Sequence, residues 1–467
     1  MISTKKTMGK TPLAWAVGRG HEEVVKMLLG RDDVDPNKVG EYSCTPLWMA
    51  ACGGHEGTVK LLLGRDDIIP DKPDRDDRTP LSIAALCGRE GVVKLLLGRN
   101  DVNPNKPDRI GRIPLWEAAM RGYEEIVKLF LKRDDVSPDK PDRSGSTPLW
   151  EAARKGHEGV VKLLLGRNEV NPDRQGGDGR APLWWAALSG HEGVVKLLLG
   201  RNDVDPDKPD LDGRTPLAEA ARNGHEEIVK LLLNQGEVNP NKPGGGDDQT
   251  PFSWAARNGR EGVVELLLEW SDLDPDKLDR FGRTPLWWAS RGGNEGVVKL
   301  LLGRNDVNPD KPDRAGHTPL WGAAREGHKE IVELLLGLND VNPDKPDHHL
   351  QTPLWWAARE GHDEIVKLFL RRDDVNPDKP DRSGRTPLLE AAARGHEPVV
   401  KLLLGRDDVT PEKPDKEGQR PLPSAAHNGH EGVVRLLLER EKAGPNEANL
   451  DGKTSLRGAA RKATWEP

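Results

Sequence analysis

Residues 147–180 read TPLWEAARKGHEGVVKLLLGRNEVNPDRQGGDGR, and this stretch decides the fold. Thr147 is placed to cap a helix, with Pro148 in the first turn, where its missing N–H costs nothing. Gly156 supplies the left-handed residue that ends this helix. A second helix starts near His157 and Glu158, whose carboxylate suits the positive end of the helix dipole. It runs through Val160, Val161, Leu163, Leu164 and Leu165. The residues that follow are rich in Asn, Pro, Asp and Gly, cannot continue a helix and read as a turn-containing loop. The stretch is therefore helix, tight turn, helix, projecting loop.

The same start recurs every 34 residues, at Thr11, Thr45, Thr79, Ile113, Thr147, Ala181, Thr215, Thr250, Thr284, Thr318, Thr352, Thr386, Arg420 and Thr454. Proline follows each start but the last, where Ser455 stands. The spacing slips by one residue between Thr215 and Thr250, in the loop Gly244-Gly245-Gly246-Asp247-Asp248. A fixed period in this range marks stacked units, none able to bury its apolar face alone. The expected fold is an all-α solenoid of helix-turn-helix units with projecting loops: about 13 full repeats and a C-terminal half repeat ending near Ala460 to Ala463. A solenoid has no size limit set by one core, so residues 9–467 read as a single continuous domain behind a short lead-in at 1–8.

These units resemble ankyrin repeats. The resemblance rests on the Thr-Pro-Leu start, the Ala152-Ala153 pair, Gly156-His157, the Val-Val-Lys-Leu-Leu-Leu helix and the Asn171-Pro172 loop. It covers residues 9 to about 463 and departs from the family in two respects. The loop is one residue longer, and Trp often stands after Thr-Pro-Leu where the family has histidine. The resemblance implies partner recognition on the concave side, through the first helix and the loop tips. The near-identical units also resemble the arrays attached to fungal nucleotide-dependent immune switches, which makes a sensor arm of a larger NTPase protein one alternative.

Positions are counted from the threonine. Leu at 3, Ala at 6 and 7 and Gly at 10 share one side of the first helix, so that side is buried and positions 5 and 8 point away from it. Position 5 varies widely, with Trp185, Trp254, Trp288 and Trp356 alternating with Glu117, Glu151, Glu219 and Glu390. Position 8 becomes an arginine ladder in five successive units: Arg222, Arg257, Arg291, Arg325 and Arg359. Trp and Arg on an exposed face are common interface anchors, so these Trp and Arg residues are the candidate partner-binding set. The blander account is local pairing of Glu219 with Arg222 and cation–π contact within Trp254–Arg257, Trp288–Arg291 and Trp356–Arg359. Trp48, Trp116, Trp150, Trp184, Trp287, Trp321 and Trp355 at flanking position 4 are expected to pack with one another structurally.

Catalysis and metal binding find little support. Histidines recur at position 11, from His21 to His430, but neighbouring copies are about 8–10 Å apart, too far to share one ion. They are expected to hydrogen-bond across the turn. Asp203-Val204-Asp205-Pro206-Asp207-Lys208 resembles the start of a calcium loop, yet Lys208 stands where glycine is required. No phosphate-binding loop, nucleophile elbow or kinase motif occurs. No cofactor and no metal are expected.

A net charge of −7 and a pI near 6.1 supply no field for nucleic acid or anionic membrane. The opening residues contain no apolar stretch, and no run reaches membrane-spanning length. Three cysteines, Cys44, Cys52 and Cys87, form no disulfide framework, which favours the cytoplasm. The expected function is non-catalytic recognition of a protein or peptide, acidic where it meets Arg222 to Arg359. Apolar end units such as the first, with Leu13, Val24, Val25 and Leu28, leave head-to-tail self-association as a further alternative.

Overall fold

The structure, a computed structural model, describes residues 11–440. The expected lead-in and C-terminal half repeat lie outside the described residues. Among the described residues twenty-six α-helices follow one another in pairs, with a single 3-10 turn at Glu41–Ser43. No strand forms among the described residues, only an isolated bridge between Gly244 and Gln249 in the longer loop. The helices divide into two compact bodies. One holds the described residues up to Ala220 together with Glu227–Val238, and the other holds Ala221–Glu226 and the described residues from Asn239 onward.

Each repeat is built as its sequence dictates. In the fifth, α9 (Pro148–Lys155) is capped by Thr147, whose hydroxyl accepts the Trp150 amide at 3.1 Å. Its C-terminus closes on Gly156 at φ 77°, and α10 (Glu158–Leu165) follows directly. Ile113, Ala181 and Arg420 replace the threonine and make no side-chain cap. Leu at position 3 and Ala at 6 and 7 are buried, as in Leu149, Ala152 and Ala153, and the second helix buries Val160, Val161 and Leu164.

Polar bonds between successive repeats tie each body together. Position 11 donates to the position-8 carbonyl of the preceding repeat. His157 Nε2 reaches Met120 at 3.0 Å, His362 Nε2 reaches Arg325 at 3.0 Å and His396 Nε2 reaches Arg359 at 2.9 Å. The histidines thus bridge repeats instead of closing their own turn. An orphan carbonyl at the end of one first helix has its partner in the next repeat. Arg260 and Asn294 substitute for histidine and make the same bond, to Arg222 and Arg257.

The second helices are tied likewise. Arg201 forms a fork with Asp203, at 2.8 and 2.7 Å, and its Nη1 donates to the Leu165 carbonyl of the preceding repeat at 2.8 Å. Lys208 Nζ reaches the Asp173 carbonyl and carboxylate at 3.0 and 2.8 Å. At most steps within a body the loop tips are joined by one backbone bond, as in Arg143 N–H to Ile110 and Arg314 N–H to Phe281, both 2.9 Å. In the calcium-like loop the Asp205 carboxylate accepts the Asp207 amide at 2.9 Å, an ordinary Asx turn.

A Cβ added at Gly156 would lie 2.6 Å from His191 Nδ1, in addition to the strain of its positive φ. Gly156→Ala is therefore expected to lower stability by about 1–3 kcal/mol. At Gly200, by contrast, the nearest atoms would be 3.4 and 3.5 Å away and φ is −73°, so Gly200→Ala should be near neutral. Urea unfolding of both variants checks the pair.

Candidate recognition face

Tryptophans at position 4 are buried, Trp48 being only partly so. Their rings do not stack in a file. Five of the indole N–H groups instead donate to the carbonyl that ends their own repeat: Trp116 to Ser146 at 3.2 Å, Trp150 to Arg180 at 2.9 Å, Trp184 to Arg214 at 3.0 Å, Trp287 to His317 at 3.1 Å and Trp355 to Arg385 at 3.0 Å, while those of Trp48 and Trp321 have no acceptor. Where rings do meet, position 4 packs edge-on against position 5. Trp150 meets Trp185 of the next repeat at 5.2 Å, Trp321 meets Trp356 at 5.4 Å and Trp287 meets its neighbour Trp288 at 5.0 Å.

Position 5 is therefore less exposed than helical periodicity alone implies. Trp288 is 7% exposed and packs with Trp287 and Trp321, while Trp185, Trp254 and Trp356 are half-buried. The helical wheel of one repeat omits the next repeat, whose first helix packs alongside. Glutamates at this position are buried and paired: Glu219 is 1% exposed, with Arg214 at 3.2 Å, and Glu390 meets Arg385 at 2.8 Å. Burial pushes the Glu117 carboxyl up, against the opposing charge of Arg112 at 3.7 Å. A buried carboxylate needs such a partner.

In the C-terminal body the position-8 arginines thread between indole rings. Arg222 lies 5.0 Å from the Trp254 ring, and Arg257 lies 5.4 Å from Trp254 and 4.0 Å from Trp288. Arg325 lies 5.2 Å from Trp321 and 4.5 Å from Trp356, with Arg359 4.8 Å from Trp356. Arg291 stacks on Trp287 at 5.4 Å instead of the expected Trp288, and pairs with Glu326 at 3.2 Å. Contacts to the next repeat's ring were not foreseen from spacing within one helix. The guanidiniums of Arg257 and Arg325 form no ion pair among the described residues. Burial, and then the charge of Arg283 with those of Arg222 and Arg291, pushes Arg257 below its ordinary value; Asp247 opposes them only in part.

Three of the candidate indoles carry a further cost. The Nε1 atoms of Trp185, Trp254 and Trp356 are buried without an acceptor, each worth about 1–3 kcal/mol in lost solvation. Trp288 escapes this by donating to Asp279 Oδ2 at 3.1 Å. Sequence reasoning also missed position 34, where an arginine stacks on the following position-4 ring: Arg112 on Trp116 at 4.2 Å and Arg180 on Trp184 at 4.3 Å. His317 takes this place beside Trp321, with ring centroids 3.7 Å apart.

Among the described residues no group of three His, Cys, Asp or Glu side chains is arranged to hold a metal ion. No described helix is long and apolar enough to cross a membrane. Paired helices repeated at fixed period, bonded repeat to repeat, define a helical solenoid. Comparison with family models then names the class: a model of three tandem ankyrin repeats matches residues 32–108, 100–176, 160–243, 183–277, 252–347 and 338–415, and the single ankyrin repeat matches 8–41 and 417–450. The chain belongs to the ankyrin-repeat family, whose members serve as protein-interaction scaffolds and are generally non-catalytic. A search of curated proteins finds no match.

His317 makes this face sensitive to pH. Burial pushes its imidazolium down, but bonds to Asp313 Oδ2 at 3.2 Å and Asp347 Oδ2 at 3.6 Å outweigh burial and raise its pKa above 6.5. A raised folded-state pKa contributes stability that is full below the unfolded value and fades as pH rises through the folded one. Wild type should therefore lead His317→Gln in thermal stability below about pH 6.5, and the margin should shrink toward pH 8. Melting curves of both proteins across that range provide the check.

Proposed function

We propose that the chain is a non-catalytic scaffold that captures an acidic protein segment on the first-helix and loop-tip face of its seventh to eleventh repeats. Arg222, Arg257, Arg291, Arg325 and Arg359 supply the cationic contacts, and Trp254, Trp288 and Trp356 the apolar surface between them. Trp185 is a separate anchor in the other body. The observation that carries this reading is the pair of guanidiniums at Arg257 and Arg325, held between rings and forming no ion pair among the described residues. Where Glu occupies position 5, a buried carboxylate balances nearby arginine; in the repeats with Trp or Gly there, Arg291 pairs with Glu326 and Arg359 with Glu360, whereas Arg257 and Arg325 form no ion pair among the described residues. Ring stacking holds the arginine stems and leaves charge for an incoming anion.

A labelled poly-glutamate peptide is the probe. Binding to the full chain should weaken steeply as salt rises, and Arg257→Glu with Arg325→Glu should reduce affinity at least tenfold. A poly-lysine peptide should not bind. Affinity indifferent to salt and to charge reversal would overturn the reading.

Head-to-tail association is the competing reading. It rests on Val24 and Met27 in the first repeat, 42% and 68% exposed where the corresponding Val160 and Leu163 are covered to a greater extent. Sedimentation that stays monomeric at high concentration would remove it.

A further inference from the structure

Cys52 and Cys87 lie at first-helix positions in the other body and have no part in the arginine ladder. Cys52 lies in α3 (Pro46–Gly53), and Cys87 follows the last turn of α5 (Pro80–Leu86). Both are half-buried free thiols, and their Sγ atoms are 3.9 Å apart. They occupy position 8 of one repeat and position 9 of the next. The same two positions hold Arg291 and Glu326 at 3.2 Å, and the bond from Asn428 Nδ2 to the Ala393 carbonyl at 2.8 Å. The approach of the two thiols thus belongs to the stacking register, not to a local accident.

A disulfide requires a sulfur separation of about 2.05 Å, so the sulfurs must close by about 2 Å. Rotation about the two χ1 bonds moves sulfur on that scale. The junction is already fixed in backbone terms, because Arg89 Nε donates to the Cys52 carbonyl at 3.0 Å.

We propose that Cys52 and Cys87 are a peroxide-responsive modification site, forming a reversible disulfide that staples the second repeat to the third. Cys87 Sγ attacks hydrogen peroxide, the O–O bond breaks, and a sulfenic acid and one water result. Cys52 Sγ then attacks the sulfenic sulfur; the S–S bond forms, and the hydroxyl leaves with the thiol proton as a second water. Peroxide is reduced to water and the two thiols are oxidised to one disulfide. Burial, and then the neighbouring Cys87, pushes the Cys52 thiol up to about 11, which leaves it protonated at neutral pH and disfavours it as the first nucleophile toward peroxide. Cys44 is set apart: it is buried, its Sγ donates to the Tyr42 carbonyl at 3.8 Å, and burial pushes its thiol up to about 11.

The test is hydrogen peroxide treatment of the full chain, then alkylation, digestion and mass spectrometry. The expected result is the loss of two hydrogens per chain, one linked peptide pair carrying Cys52 and Cys87, and recovery of both thiols with dithiothreitol. Cys44→Ser should keep the link, and Cys87→Ser should abolish it and leave Cys52 open to alkylation. Mapping of the wild type stands even if a variant fails to fold. Two thiols still alkylatable after treatment, a sulfinic acid at either, a link to Cys44, or a link between chains would overturn the proposal.

Discussion

Everything in this protein depends on one constraint: a single repeat cannot satisfy its own polar groups or cover its own apolar face. Two helices of seven or eight residues, such as α9 and α10, expose too much of both to be stable alone. The next repeat completes them. It supplies His191 to the Arg154 carbonyl at 3.2 Å and Arg201 to the Leu165 carbonyl at 2.8 Å, and within the stack Val160 and Ala152 are fully buried. Stability is accordingly a matter of nearest neighbours, and the conserved chemistry of the period is largely the chemistry of the junction.

The fold was readable from sequence because its signals are local. Thr147, Pro148 and Gly156 act within a few residues, and the alternation of apolar and polar positions marks each helix without knowledge of the stack. The face was less readable because its determinants lie about one period away. A helical wheel of residues 148–155 turns Glu151 outward, whereas the structure leaves it 7% exposed with Arg154 at 2.9 Å. The partners of His396 and Arg372 are carbonyls 37 and 36 residues earlier, with no side-chain signature to reveal them. Pairing across a junction needs the pitch of the stack, and sequence spacing alone does not contain it.

Position 5 shows how one slot carries two electrostatic regimes. With Glu, as in Glu219 or Glu390, a buried carboxylate takes up nearby arginine. With Trp, the same junction is held by ring-on-ring and guanidinium-on-ring contact, which binds without cancelling charge. Variation that reads as surface diversity in the sequence is thus first a choice of how each junction is held.

The adjacent register, from position 8 to position 9 of the next repeat, extends the same logic. It hosts an ion pair at Arg291 and Glu326, an amide-to-carbonyl bond at Asn428 and a thiol contact at Cys52 and Cys87. At most junctions backbone geometry is held by the position-11 donor, which fixes the end of the preceding first helix whatever the side chains do there. Because the frame does not depend on the occupant, each occupant is free to add its own chemistry: charge, hydrogen bonding or redox. A solenoid whose junctions are pinned by backbone bonds can vary its junction side chains without losing its register.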